Sequence, residues 1–206
     1  MNIGIIGLGN MGTAILQGLL HKYNHNQIWV VNHQNDRVSA LRKKYQFHFA
    51  TELNEDNSAQ LDVIFVTLPA NIVIKYFNKH QVINQNSIII SAAAGITIKD
   101  LKNTLPSNQI VTLIPNTPVS VNAGTLPTCF SDLGSDSKPQ VIKILSILGN
   151  IIPVKENNLS VLGTICGCGP AFIDVLMDAL GDAAVENGIN RNTAYQAIAS
   201  MVSGSG

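Results

Sequence analysis

The first pattern able to do chemistry is Gly7-Leu8-Gly9-Asn10-Met11-Gly12. It follows an apolar run and opens a helical pattern, the setting in which such glycines carry a mechanism. Gly7 permits a tight turn, Gly9 lets the backbone approach a pyrophosphate, and Gly12 lets a helix pack close to a strand. The helix start then offers unpaired N–H groups to phosphate oxygens. The plain alternative, a merely glycine-rich turn, is disfavoured by the strand-turn-helix setting.

If a dinucleotide sits there, the end of the next strand reads its ribose. An Asp or Glu at that point accepts hydrogen bonds from a 2′-hydroxyl and repels a 2′-phosphate. The chain instead has Val31-Asn32-His33-Gln34, with no acid, and Arg37 close behind. Asn32, His33 and Gln34 can all donate, which favours NADP(H) over NAD(H); Arg37 is otherwise a solvated helix charge. A second loop, Ile114-Pro115-Asn116-Thr117-Pro118, follows a strand. Its two prolines fix a rigid turn where ligands of open α/β sheets bind. Asn116 either touches the nicotinamide or substrate there, or makes an Asx-type turn.

A third motif, Cys166-Gly167-Cys168-Gly169-Pro170-Ala171, precedes a long helical pattern. Its glycines allow close backbone approach, and a helix start suits an anion. Cys-x-Cys supplies only two metal ligands and the five His are scattered, so no metal site is expected. With no base nearby in sequence, the cysteines read as packing residues rather than nucleophiles.

The elements that must position these motifs alternate between short apolar runs and amphipathic segments, as βαβ units do. Strands are expected at 2–6, 28–31, 47–49, 63–67, 88–91, 110–114, 125–128 and 151–154. Helices are expected at 11–21, 36–44 and 139–148. The runs at 63–67 and 88–91 are continuously apolar, as parallel strands covered on both faces should be. The fold class is therefore α/β: an N-terminal Rossmann-type, mostly parallel sheet with helices on both faces, followed by a small all-helical domain.

The character changes near Glu156. Residues 1–155 form the expected dinucleotide-binding domain and 156–206 a helical one, with a short helix to Ile165, a long one from Pro170 to Asn187, and another from Arg191. Pro170 suits a first helical turn, and Gly188 suits the position just past a helix end. The last pattern stops mid-helix at Gly206, so this roughly 50-residue domain, marginal by itself, is expected either to continue or to be completed by a partner.

Composition narrows the partners. Hydrophobic residues make up 46% of the 206 and charged ones 13%, so much of the surface is expected to need cover from a partner subunit. The net charge of zero argues against a nucleic-acid or anionic-membrane surface. Gly, Asn and charges interrupt the apolar runs, so no transmembrane span is expected. Three cysteines make no even disulfide framework, and a cytoplasmic, reducing location is expected.

Taken in order, the motifs resemble those of the pyrroline-5-carboxylate reductase family. The matching residues are Ile3 to Met11, Ser91-Ala92-Ala93-Ala94-Gly95-Ile96-Thr97, Pro115-Asn116-Thr117-Pro118, and Gly167-Cys168-Gly169-Pro170-Ala171-Phe172. The resemblance implies hydride transfer from NADPH (or NADH) to the C=N carbon of pyrroline-5-carboxylate, a cyclic imino acid, giving proline in the last step of proline biosynthesis. It further implies that Ile6, Gly7, Leu8, Gly9, Asn10 and Met11 line the pyrophosphate, and His33, Gln34 and Asn54 the adenosine side. Thr67, Leu68, Pro69, Ala92, Ala93 and Ala94 would line the nicotinamide half. The helical segment would interlock with its mate in a homodimer or higher homo-oligomer.

The chain departs from the family pattern at three places. Thr67-Leu68-Pro69 stands where Val-Lys-Pro is common, cysteines occupy two positions usually held by serine, and the family's Ser-Pro-Gly-Gly-Thr-Thr loop would lie beyond Gly206. A protonated imine is already electrophilic, so no residue is singled out as a catalyst. Competing readings are a dinucleotide-binding protein without turnover, a reductase of another cyclic imine and, last, a β-hydroxyacid dehydrogenase, whose helix lysine has no counterpart in 170–187.

Overall fold

The computed structural model describes residues 1–205. Its contacts divide the chain into two units, Met1–Cys166 and Gly167 onward. In the first, strands β1 (Ile3–Ile6), β2 (Ile28–Val31), β3 (His48–Ala50), β4 (Val63–Val66), β5 (Ile88–Ser91), β6 (Ile110–Leu113), β7 (Gly124–Cys129) and β8 (Gly149–Pro153) form one sheet. Their spatial order is β3-β2-β1-β4-β5-β6-β7-β8. All neighbours pair parallel except β6 and β7. The order reverses between β1 and β4, which creates a crevice at their carboxyl ends.

Burial follows the apolar runs. Every residue of β1, β4, β5 and β6 is buried, as central parallel strands require. One face packs α1 (Asn10–Leu20) through Ile15, Leu16 and Leu19, with α6 (Lys138–Leu148) through Ile144, Leu145 and Leu148. The other packs α4 (Ala70–Lys79) through Val73 and Phe77, and α5 (Ile98–Lys102) through Leu101. Side chains at i and i+4, such as Val73 and Phe77, lie on one helical face, which is why each helix lays a single apolar stripe on the sheet. The helices α2 (Asp36–Lys44) and α3 (Glu55–Ser58) complete the unit; both start on asparagine caps, Asn35 and Asn54.

The expected strands and helices all occur, with ends shifted by a residue or so. Three helices, α3, α4 and α5, were not expected, and the long helix differs more. Instead of a break between Ile165 and Pro170, α7 runs continuously over Glu156–Glu186 with Pro170 inside it. Unbroken, it is long and apolar enough to cross a membrane by length and composition, a span that interruptions by glycine, asparagine and charges had argued against. Its part up to Cys166 belongs to the first unit, where Gly163 sits against Ile114 so closely that a Cβ would stand 2.3 Å from Ile114 Cδ1.

In the second unit the rest of α7 pairs with α8 (Arg191–Ser205). The pair closes at Gly181, where a Cβ would lie 2.7 Å from the Tyr195 ring. Tyr195 donates to Asp178 Oδ1 at 2.5 Å, and Arg191 Nη2 meets Asp182 Oδ1 at 2.6 Å. Gly188 turns the chain between the helices at φ +87°, a left-handed conformation that glycine adopts freely. Large apolar side chains remain uncovered here: Phe172 is 72% exposed, Val175 70% and Leu176 50%.

Candidate dinucleotide site

At the crevice between β1 and β4 lies a cavity of about 590 Å³. Its floor is the glycine turn. Gly7 takes φ +94° and its N–H donates to the Val31 carbonyl, which ties the turn to β2. A Cβ on Gly12 would stand 2.1 Å from the Gly7 carbonyl oxygen, so only glycine lets α1 begin this close to β1. Gly9 caps the helix with no side-chain hydrogen bond, and nothing lies within 4 Å of where its Cβ would be. No acid occupies the first turn of α1. The helix therefore presents free N–H groups and the positive end of its dipole to an open space, which is what a pyrophosphate requires.

The walls come from four strand ends. Ile6, Gly7, Leu8, Gly9, Asn10 and Met11 line the floor, His33 the end of β2, Thr67, Leu68 and Pro69 the end of β4, and Ala92, Ala93 and Ala94 the end of β5. Those thirteen candidates are brought together. Gln34 is not among them, because its amide donates to Ser39 Oγ at 2.9 Å on α2. Asn54 caps α3, accepting from the Asn57 N–H at 2.9 Å. Asn116 also stands outside the lining; its amide bonds to Cys166 and Thr125.

Several polar groups are already committed. Asn32 accepts from the Leu8 N–H at 2.9 Å and donates to the His33 carbonyl at 2.7 Å, so it braces the glycine turn rather than offering donors to a ribose. Thr67 donates to the Gly7 carbonyl at 2.6 Å and holds the same turn from β4. Arg37 Nη2 reaches from α2 to Asn10 Oδ1 at 2.7 Å, which puts a guanidinium next to the start of α1. No acid lines the cavity.

The spacing-based reading missed Thr51, Ala70, Ile72 and Tyr76, which also line it. Ile72 and Tyr76 stand on α4, a helix that the Val73/Phe77 spacing could have revealed. Burial pushes the Tyr76 phenol up to about 12, weakly opposed by the Leu53 backbone and helped by the Glu52 charge. Apart from that Leu53 approach, its hydroxyl meets no hydrogen-bond partner of good geometry among the described residues. No group of three or more His, Cys, Asp or Glu able to hold a metal occurs among those residues.

Comparison with known proteins places this geometry. Residues 2–95 match the family model described as NADP oxidoreductase coenzyme F420-dependent, and residues 156–206 match that described as pyrroline-5-carboxylate reductase dimerisation. The pyrroline-5-carboxylate reductase of Escherichia coli strain K12 is 33% identical over 208 residues, which cover 98% of this chain and 77% of that protein. Among solved structures, a Plasmodium falciparum pyrroline carboxylate reductase with NADP bound superposes with a TM-score of 0.85 at 25% identity, covering 100% of this chain and 77% of that one. A Coxiella burnetii pyrroline-5-carboxylate reductase gives 0.82 at 28%, covering 98% and 77%.

Proposed function

The chain belongs to the pyrroline-5-carboxylate reductase family, and from that premise we propose that it reduces the C=N bond of pyrroline-5-carboxylate to L-proline at the expense of NADPH. The observation that carries the reading is the cavity at the β1/β4 reversal, whose open helix start and acid-free walls fit a phosphorylated dinucleotide. When bound there, NADPH supplies the hydride. The Gly7–Gly12 turn and the α1 N–H groups would hold the pyrophosphate, with Thr67 and Asn32 keeping the turn in shape. His33 on the cavity wall and Arg37 beside Asn10 would meet the adenosine ribose, and the small side chains of Ala92, Ala93 and Ala94 would leave room for a flat ring at the other end.

The imine needs no strong acid or base from the protein. In its protonated form the ring carbon already accepts hydride, leaving the secondary amine of proline. Catalysis is then mostly orientation of two bound molecules, for which well-placed groups supply about 7–11 kcal/mol.

The helical segment serves as the interface of a homodimer or higher homo-oligomer. Phe172, Val175 and Leu176 support this, since an exposed apolar patch marks an interaction surface. The three acids Asp174, Asp178 and Asp182, one per turn of α7, favour a protein partner over lipid as the cover. Three free cysteines fit a cytoplasmic, reducing location.

The direct test is oxidation of NADPH and of NADH by the purified protein, with and without pyrroline-5-carboxylate. Substrate-dependent oxidation with proline formed one for one is expected, faster with NADPH. Tight NADPH binding with no proline would refute the reductase reading and leave a dinucleotide-binding protein without turnover.

A further inference from the structure

The Pro-Asn-Thr-Pro loop meets α7 at one hydrogen bond. Asn116 Nδ2 donates to the Cys166 carbonyl at 3.1 Å. That carbonyl is the one whose helical partner would be the N–H of residue 170, one i to i+4 step along α7. Residue 170 is proline. It has no N–H to donate. The asparagine side chain thus occupies the place of the missing backbone donor.

The rest of Asn116 fixes this assignment. Its Oδ1 accepts from the Thr125 N–H at 2.8 Å, so only one orientation of the amide serves both neighbours. The residue is buried, at 6% exposure, and lines no part of the dinucleotide cavity.

Its position along α7 gives the bond a purpose. The ties of the helix to the sheet unit include Glu156 Oε1 accepting from the Ile98 N–H at 2.7 Å, Gly163 packed on Ile114, and, last along the helix, Cys166 bonded to Asn116. The sheet unit ends at Cys166, and the next residues are Gly167, Cys168, Gly169 and Pro170. Nothing among the described residues comes within 4 Å of a Cβ built on Gly167 or Gly169. The weakest turn of the helix therefore directly follows the last tie.

We infer that Asn116 is a positioning residue: it replaces the amide that Pro170 lacks, and so stiffens the joint of α7 that carries the residues from Gly167 onward. It acts through the Cys166 carbonyl and not by touching the dinucleotide. The inference rests on the reductase reading only for its kinetic consequence; the joint itself is tested without turnover.

The test measures amide exchange across residues 163–176 in the full chain, for the wild type, Asn116→Asp, Pro170→Ala and the double variant. Aspartate keeps the acceptor for Thr125 and loses the donor for Cys166; Pro170→Ala restores a backbone donor. Asn116→Asp is expected to speed exchange there about fivefold, the factor for one ordinary hydrogen bond, and the double variant to return to the rate of Pro170→Ala. Equal exchange in wild type and Asn116→Asp, or a double variant as fast as Asn116→Asp, overturns the inference. So does failure of Asn116→Asp to fold in both backgrounds, since the backbone donor restored by Pro170→Ala would then not relieve the loss.

In kinetics, Asn116→Asp should lower kcat/KM for the imine while the Kd of 2′,5′-ADP stays within about twofold. A parallel loss of 2′,5′-ADP affinity would make Asn116 a cofactor contact and overturn the inference. A wild type without turnover would defeat the reductase reading alone, and exchange would still decide the joint.

Discussion

The sheet unit and the helical unit treat their apolar residues in opposite ways. In the first, the largest buried side chains, Phe65, Phe77 and the isoleucines of β1, are sealed between two layers of helices. In the second, Phe172 and Val175 stand more than two-thirds exposed, and only Ala194 of α8 is buried. Both segments are rich in apolar residues, so composition is not the difference. A sheet covered on both faces closes its own core, whereas two helices can bury only the seam between them. The sheet unit encloses a cavity lined wholly by its own residues; the helical unit leaves large apolar side chains uncovered.

The sharpest way to break that contrast is to charge the exposed surface. Phe172→Asp combined with Leu176→Asp should convert the oligomer to a species near the 22.1 kDa of one chain by light scattering. The dinucleotide site should be untouched, with the Kd of NADPH within about twofold, because the cavity lies wholly in the other unit. An unchanged mass would move the interface elsewhere.

The converse change attacks the site and spares the interface. Gly12→Val puts atoms where the Gly7 carbonyl already stands, so NADPH affinity should fall by about a hundredfold or more, a loss of about 2.7 kcal/mol. The oligomer mass should not change. A smaller effect is expected from Arg37→Gln. Losing one charge-assisted contact should weaken NADPH about tenfold and leave NADH within about twofold, read by titration of cofactor fluorescence. Equal losses for both cofactors would remove Arg37 from the 2′-phosphate.

The smallest effect concerns Tyr76. Its phenol, pushed up to about 12 by burial, holds its proton more tightly folded than unfolded, where the value is 10.0. The stability this contributes is fully present below pH 10 and is lost as pH rises toward 12. Tyr76→Phe should flatten that part of the alkaline unfolding profile, and a profile matching the wild type would contradict the assignment.

The two units also differ in how far they were legible. Period and punctuation located the eight strands, because parallel strands buried on both faces leave continuous apolar runs such as Val63–Val66. They missed α4, whose polar residues Asn71, Lys75 and Asn78 mask the stripe made by Val73 and Phe77. With α4 went Ile72 and Tyr76, since a cavity wall contributed by a helix side has no motif. Asn32 carries a different lesson: its residue type fits a ribose donor, but its amide is committed to Leu8 and His33, and only coordinates show where a hydrogen bond goes. Pro170 was read as a helix start because proline suits that position; tertiary support at Cys166 let the helix run through it.

The measurement closest to the central claim follows the hydride itself. The purified protein is given pyrroline-5-carboxylate and NADPH deuterated at the transferable C4 position, and the proline formed is examined by mass and by NMR. One deuterium per molecule, bonded to the ring carbon that had been the imine carbon, is the predicted result. Proline without deuterium, or NADPH bound and never consumed, would contradict it.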